Sequence, residues 1–146
     1  MSTATVTTEA RCEALYSSLL SARAEEARLL AEYRTLRGAA DDDWNGPGVE
    51  AARAAWDKAE TASHKIVEAL ADEVRGAIAP MHEGGVRRLV FGQWEIRAVR
   101  VPGAGRGLYT IPGVLLLRGG ELVTEAAAKD STADAEACDE WRVRVG

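Results

Sequence analysis

The sequence is poor in cysteine, histidine and aromatic residues. Its 146 residues include two cysteines, two histidines and one phenylalanine, and aromatic residues make up 5%. Cys12 and Cys138 match no metal-binding or redox spacing, so we expect free thiols in a reducing cytosol. His64 and His82 form no recognisable pattern with a nucleophile or a metal ligand. The sequence therefore predicts no metal site, no cofactor and no catalytic residues, and an enzyme is the least favoured class of function.

Long hydrophobic runs are also missing. The longest, Val114 to Leu117, suits a buried strand, whereas a membrane-spanning helix needs about 20 apolar residues. The first ten residues, MSTATVTTEA, lack the basic and apolar regions of a signal peptide. These observations predict a cytoplasmic protein with no membrane association, and they leave leaderless export or incorporation into a virion open.

The charge is acidic in total but unevenly distributed. A net charge of −5 argues against general nucleic-acid binding, which depends on neutralising phosphates. The segment from Gly85 to Arg118 nevertheless contains six arginines and a single acid, Glu95. Such a segment either solvates an exposed sheet face or receives an anionic small molecule or an acidic partner. Arginine accounts for most of the 18 basic residues, which is typical of a GC-rich actinobacterial or phage genome.

Residues 1–80 have the periodicity of two helices. Apolar side chains recur at steps of three and four residues within Glu9–Arg37 and again within Val49–Ala79. The intervening segment, Gly38–Gly48, is rich in aspartate, asparagine, glycine and proline, which predicts a turn. Pro80 is expected to end the second helix. The seam residues that we expect to form an interaction surface are Leu15, Leu19, Leu29, Trp56, Ile66 and Leu70.

Two long helices joined by a short turn lie antiparallel. A two-helix hairpin leaves about half of each helix surface uncovered, so another element must bury the rest. That element is either the remainder of the chain, a second copy, or both. The helical hairpin is therefore predicted to support a homo-oligomer or to pair with a helical partner.

The pattern changes to a period of two after residue 80. Trp94, Ile96 and Ala98 alternate with charged residues, which indicates a strand. The segment Arg118–Glu121 contains Gly-Gly between apolar runs and predicts a β-hairpin. A terminal strand is expected near Trp141, and the segment from Ala126 to Glu140 is either a short helix or a loop. Residues 81–146 thus form an antiparallel module of four or five strands, and the fold class is α+β.

The bend between the helices carries a family resemblance. Trp44-Asn45-Gly46 lies between helices of equal length, followed by small residues and by Trp56. In these features, the segment from Cys12 to Ile78 resembles the WxG family of small proteins exported by type VII secretion systems. The resemblance implies an antiparallel dimer of helical hairpins with Trp44 and Gly46 at the interface. The chain departs from the family by its β-module and by the missing Tyr-x-x-x-Asp/Glu export signal after the second helix.

A glycine-rich loop offers a possible ligand site. Gly103, Gly105 and Gly107 alternate with other residues, so their backbone N–H groups can converge on an anion. Arg106 adds charge within the loop, and Arg100 and Tyr109 flank it. The segment after the loop looks extended, which excludes a P-loop or a dinucleotide-binding turn because both require a helix there. The alternative is a flexible hairpin loop without a ligand.

Two functions follow from these patterns. The first is a non-enzymatic assembly protein that oligomerises through its helical hairpin, as a secretion-associated or phage assembly factor. The second is a protein that sequesters an anionic small molecule or nucleotide with its basic β-module.

Overall fold

A computed structural model of the chain describes residues 3–39, 46–103 and 109–128. These ranges contain the helices α1 (Thr3–Ala39), α2 (Pro47–Arg75) and α3 (Ile78–Glu83). They also contain the strands β1 (Arg88–Phe91), β2 (Trp94–Pro102), β3 (Thr110–Arg118) and β4 (Glu121–Ala127). The predicted α+β class is confirmed, with two long helices followed by an antiparallel sheet.

The chain forms two compact units, residues 1–70 and 71–146. In the first unit, the rings of Tyr33 on α1 and Trp56 on α2 are stacked, with centroids 6.0 Å apart. The contact brings late α1 beside early α2, as an antiparallel hairpin requires. Cys12 and Leu19 on α1 and Leu70 on α2 are fully buried.

Helix α1 begins earlier than the sequence pattern predicts. We expected a start at Glu9, but the helix already includes Thr3. Residues 3–8 contain neither proline nor glycine, and extending an existing helix costs much less than nucleating one. The absence of a helix breaker therefore outweighs the modest helix propensity of threonine.

The prediction that Pro80 ends the second helix is wrong in two respects. Helix α2 stops earlier, at Arg75, where Gly76 follows, and Pro80 lies inside the short helix α3. Pro80 occupies the first turn of α3, where a backbone N–H has no helical acceptor, so the missing donor costs nothing there. The proline therefore lies within the first turn of a new helix and does not terminate the old one.

The sheet in the second unit is a meander in the order β1-β2-β3-β4, and neighbouring strands are antiparallel. Gly119 and Gly120 connect β3 to β4 with φ angles of 59° and 84°. Two positive φ angles in a two-residue connection are the requirement of a type I′ turn, so the hairpin predicted at Arg118–Glu121 is confirmed. The expected strand near Trp141 lies outside the described residues.

One face of the sheet forms the core of the second unit. Trp94 and Ile96 on β2 and Leu116 on β3 point to this face and are buried. Helix α3 lies against β2 and β3 and contributes the buried Ile78 and Met81. The alternation of apolar and charged residues along β2 predicts which of its residues lie in this core.

Candidate functional site

The predicted anion site of the β-module is only partly described. Arg100, Gly103 and Tyr109 lie at the end of the β2–β3 pair, whereas Gly105, Arg106 and Gly107 lie outside the described residues. Arg100 is fixed across the two strands: its Nε donates to Thr110 Oγ1 at 3.1 Å and its Nη2 to the Thr110 carbonyl at 2.6 Å. Two of its nitrogens are thus engaged, and Nη1 is left for a ligand.

A cavity of 430 Å³ lies beside Arg100. Polar side chains reach it from three segments, because His82 comes from α3, Arg87 from the approach to β1 and Arg100 from β2. Its remaining lining residues are Met81, Gly85, Val86, Ala98 and Val99. Arg87 was part of the basic segment noted in the sequence, but its place next to Arg100 follows from the register of β1 on β2, which the sequence pattern does not specify.

His82 is half-buried at this cavity. Its Nε2 lies 2.9 Å from the carbonyl oxygen of Gly113 on β3. Because a carbonyl oxygen only accepts, Nε2 carries the proton and donates it. Nδ1 is the second polar atom of the ring. His82 thus ties α3 to the central strand β3.

The backbone of β2 adds an open edge to the same cavity. The N–H of Gly103 points to β3 and that of Ala98 to Arg87 on the opposite side. Antiparallel alternation therefore directs the N–H of Arg100 away from β3. Strand β1 ends its pairing at Arg88, so on the side away from β3 no strand of the described residues pairs with β2 at Arg100. Two guanidinium groups and a backbone donor at one cavity suit an anion.

A second cavity, an open groove, lies where α1 ends and α2 begins, and the sequence patterns did not reveal it. Its volume is 660 Å³. We call it the arginine groove; its lining residues are Leu30, Tyr33, Arg34, Arg37, Gly38, Arg53 and Trp56. The α1 residues recur at i, i+3, i+4 and i+7 from Leu30, which is the spacing of one helix face.

The predicted interaction residues fall into two classes. Leu19 and Leu70 are fully buried, whereas Leu15, Leu29, Trp56 and Ile66 are partly exposed. At the bend, Gly46 accepts a hydrogen bond from the N–H of Glu50 at 3.0 Å. Trp44 lies outside the described residues, so its predicted role at the tip stays a prediction.

Glu95 is a buried acid on the sheet face opposite to the core. Its two carboxylate oxygens accept hydrogen bonds from Arg88 on β1, at 2.5 Å, and from Arg97 on β2. Arg88 and Arg97 are directly opposite each other in the sheet register. Burial of the carboxyl opposes ionisation, but the hydrogen bonds from the two arginines together outweigh it and lower the pKa of Glu95. The carboxylate thereby holds two like charges side by side.

Within residues 3–39, 46–103 and 109–128, no group of three histidine, cysteine, aspartate or glutamate side chains is placed to hold a metal ion. None of the described helices is long and apolar enough to cross a membrane. Comparison of the chain with protein-family models, curated proteins and solved structures finds no match.

Proposed function

We propose that this protein is a non-enzymatic interaction protein that associates with a second copy through its helical hairpin. The observation that carries the proposal is the unequal burial of two heptad-spaced rows on α1. The first row includes the fully buried Cys12 and Leu19, and also Tyr33, which stacks on Trp56 of α2. The second row is adjacent to the first and remains partly uncovered; its residues are Leu15, Ala22, Leu29 and Leu36.

The second row fits a helical partner better than solvent. Leu15, Leu29 and Leu36 share one heptad position with Ala22, and residues at such a position form a continuous seam when helices supercoil. Leu36 is 40% exposed, and its burial against a second copy would remove apolar surface from water. At a rise of about 1.5 Å per residue, the 29 residues of α2 extend over about 44 Å and the 37 residues of α1 over about 56 Å. Helices of this length can bury the area of a standard interface.

The resemblance of residues 12–78 to WxG hairpins supports the same arrangement. Members of that family pair antiparallel through their hairpins. In the cell, such a self-associating protein would act as a secretion-associated factor or as a phage assembly component. Genes adjacent to the coding sequence would separate these two settings.

Sedimentation velocity over a range of concentrations tests the proposal. We expect the wild-type chain to sediment as a dimer or a larger oligomer, and the Leu29→Glu/Leu36→Glu variant to shift toward monomer. Leu20→Glu is the matched control, because Leu20 is 51% exposed on the same helix but lies outside the second row. Circular dichroism must show equal helix content in all three proteins. A wild-type chain that stays monomeric at the highest concentration would contradict the proposal.

The cavity beside Arg100 favours a second candidate function, the binding of a small anion by the β-module. This cavity has hydrogen-bond donors from the guanidinium groups of Arg87 and Arg100 and from the open edge of β2. A thermal-shift screen with nucleotides, cyclic nucleotides and simple carboxylates tests this function, since a ligand that binds the folded state raises its apparent stability. Arg87→Ala should abolish the shift, whereas Arg23→Ala, an exposed arginine of α1, should leave it unchanged. The candidate fails if no compound in the screen shifts the melting temperature.

A further inference from the structure

We infer that the arginine groove of the helical hairpin is a binding site for a phosphate ester that carries a planar ring, such as a nucleotide. The inference goes beyond the proposed self-association and concerns a different surface from the β-module cavity. Three guanidinium groups and a stacked pair of aromatic rings line the same groove, and one copy of the chain supplies them all.

The guanidinium groups come from two helices and face one space. Arg34 and Arg37 lie on α1, and Arg53 lies on α2 one helical turn before Trp56. A guanidinium presents a planar fork of donors that matches two oxygens of a phosphate. Groups that approach from both walls of a groove can contact different oxygens of one phosphate ester. This arrangement favours a compact anion with several oxygens.

Two of the three arginines of the groove have no acidic partner among the described residues. In the described part of the chain, Arg34 and Arg53 form no ion pair. Other arginines of the same ranges do, since Arg28 pairs with Glu25 and Arg75 with Asp72. The chain as a whole carries a net charge of −5, so positive charge at this groove is a local feature. Concentrated charge in a concave site raises the local concentration of an anionic ligand.

The aromatic pair gives the groove a flat apolar surface. The planes of Tyr33 and Trp56 differ by only 13°, and Leu30 lies beside them. Trp56 Nε1 is buried and has no hydrogen-bond partner in the described residues. Buried indole N–H groups normally find an acceptor, so this donor is an exception among the described residues. The groove volume of 660 Å³ also falls within the range of small-molecule sites.

Self-association through the second row leaves this groove accessible. Each residue of a helix turns about 100° from the previous one. Relative to Tyr33, which faces α2, Arg34 therefore lies on one side and Leu36 on the other. A second copy seated on Leu36 would not cover Arg34. Ligand binding and oligomerisation can thus be measured separately on the same protein.

Isothermal titration calorimetry with AMP, ATP, adenosine and pyrophosphate tests the inference. We expect the two nucleotides to bind more tightly than adenosine, which has no phosphate, and than pyrophosphate, which has no ring. The variant Arg34→Ala/Arg53→Ala should weaken nucleotide binding about tenfold or more, because both losses remove charge-assisted hydrogen bonds. Arg34→Lys/Arg53→Lys keeps the charge without the fork and should restore only part of the affinity. Arg23→Ala, outside the groove, should bind like the wild type.

Several results would overturn the inference. One is the absence of measurable binding of either nucleotide at millimolar concentration, and another is unchanged affinity in the Arg34→Ala/Arg53→Ala variant. Equal binding of pyrophosphate and ATP would remove the role of the ring. Binding of an oligoglutamate peptide without nucleotide binding would assign the groove to an acidic protein partner instead. Sedimentation of the same samples shows whether self-association is intact, so a failure of this site is distinguishable from a failure of the proposed function.

Discussion

The ring of Tyr109 lies over Gly103 so closely that a Cβ atom on residue 103 would overlap it. The same two residues are joined by the backbone, since the N–H of Gly103 donates to the Tyr109 carbonyl at 3.1 Å. Gly103 was predicted to contribute an N–H to an anion site, but this N–H is used to close the β2–β3 pair. Its lack of a side chain makes room for the ring.

Gly103→Ala should destabilise the protein because the added methyl group forces the Tyr109 ring to move. Overpacking of this kind costs about 1–3 kcal/mol. Urea denaturation of Gly103→Ala, Tyr109→Ala and the double variant measures the coupling between the two positions. We expect the alanine at 103 to be much less costly once the ring is removed. Additive effects in the double variant would show that the ring and the glycine do not interact.

Glu95→Gln should change the pH dependence of stability. The folded-state pKa of Glu95 is lowered, so its stabilising effect is complete above the unfolded pKa of about 4.3 and is lost as the pH falls through the folded value. The variant should therefore melt below the wild type at neutral pH, and this difference should shrink on acidification. Melting temperatures from pH 7 down to pH 3 test the expectation.

Glu125→Gln is the matched control for Glu95, because Glu125 is an exposed glutamate on β4. Its substitution should have little effect on the melting temperature at any of these pH values. A Glu95 variant whose deficit is the same at all pH values would contradict the prediction. Such a result would mean that the loss of stability does not come from the charge of the carboxylate between Arg88 and Arg97.

The periodicity of the sequence is sufficient to predict most of the fold. Steps of three and four residues predict α1 and α2, and alternation predicts β2, because these periods are fixed by local backbone geometry. The Gly-Gly turn between β3 and β4 was likewise predictable, since few residues other than glycine adopt two successive positive φ angles. The predicted ends of the helices were less accurate. Pro80 shows why: its effect depends on whether it lies in a first turn or a helix interior.

The candidate sites could not be predicted to the same extent. Arg34 and Arg53 meet at one groove only because the hairpin register places the end of α1 beside the start of α2, and no local pattern specifies that register. The sequence does show that Arg34 shares a helix face with Leu30 and that Arg53 shares one with Trp56, because steps of three and four residues place side chains on one face. The presence of Arg87 and Arg100 at one cavity of the β-module depends in the same way on how far β1 extends along β2.

The two glycines of the β3–β4 turn should respond differently to substitution. Gly120→Val should be costly, because a β-branched residue is strained at a φ of 84°. Gly119→Asn should be tolerated, since asparagine adopts the left-handed conformation more readily than other residues. We expect a loss of about 1–2 kcal/mol for the valine and a few tenths for the asparagine. Urea denaturation of both variants measures the difference, and equal losses would contradict the type I′ assignment.

The contribution of the contact between α3 and β3 can be measured by comparing substitutions of the two histidines, His82 at the contact and His64 as the control. His82 donates to the Gly113 carbonyl in the middle of the sheet, whereas His64 is exposed and pairs only with Glu68 in the described residues. His82→Ala removes the hydrogen bond between α3 and the Gly113 carbonyl and should cost about 0.5–1.5 kcal/mol. His64→Ala removes an exposed helix pair and should cost less than about 0.5 kcal/mol.

Urea denaturation followed by circular dichroism compares these two histidine variants, and hydrogen exchange shows where the loss occurs. In His82→Ala, the amides of α3 should exchange faster, while those of α1 should keep the wild-type rate. A side chain that keeps the ring but cannot donate, as in His82→Phe, should be as destabilising as alanine if the hydrogen bond is the main contribution. Recovery of stability in His82→Phe would show instead that α3 is held by the apolar contacts of the ring.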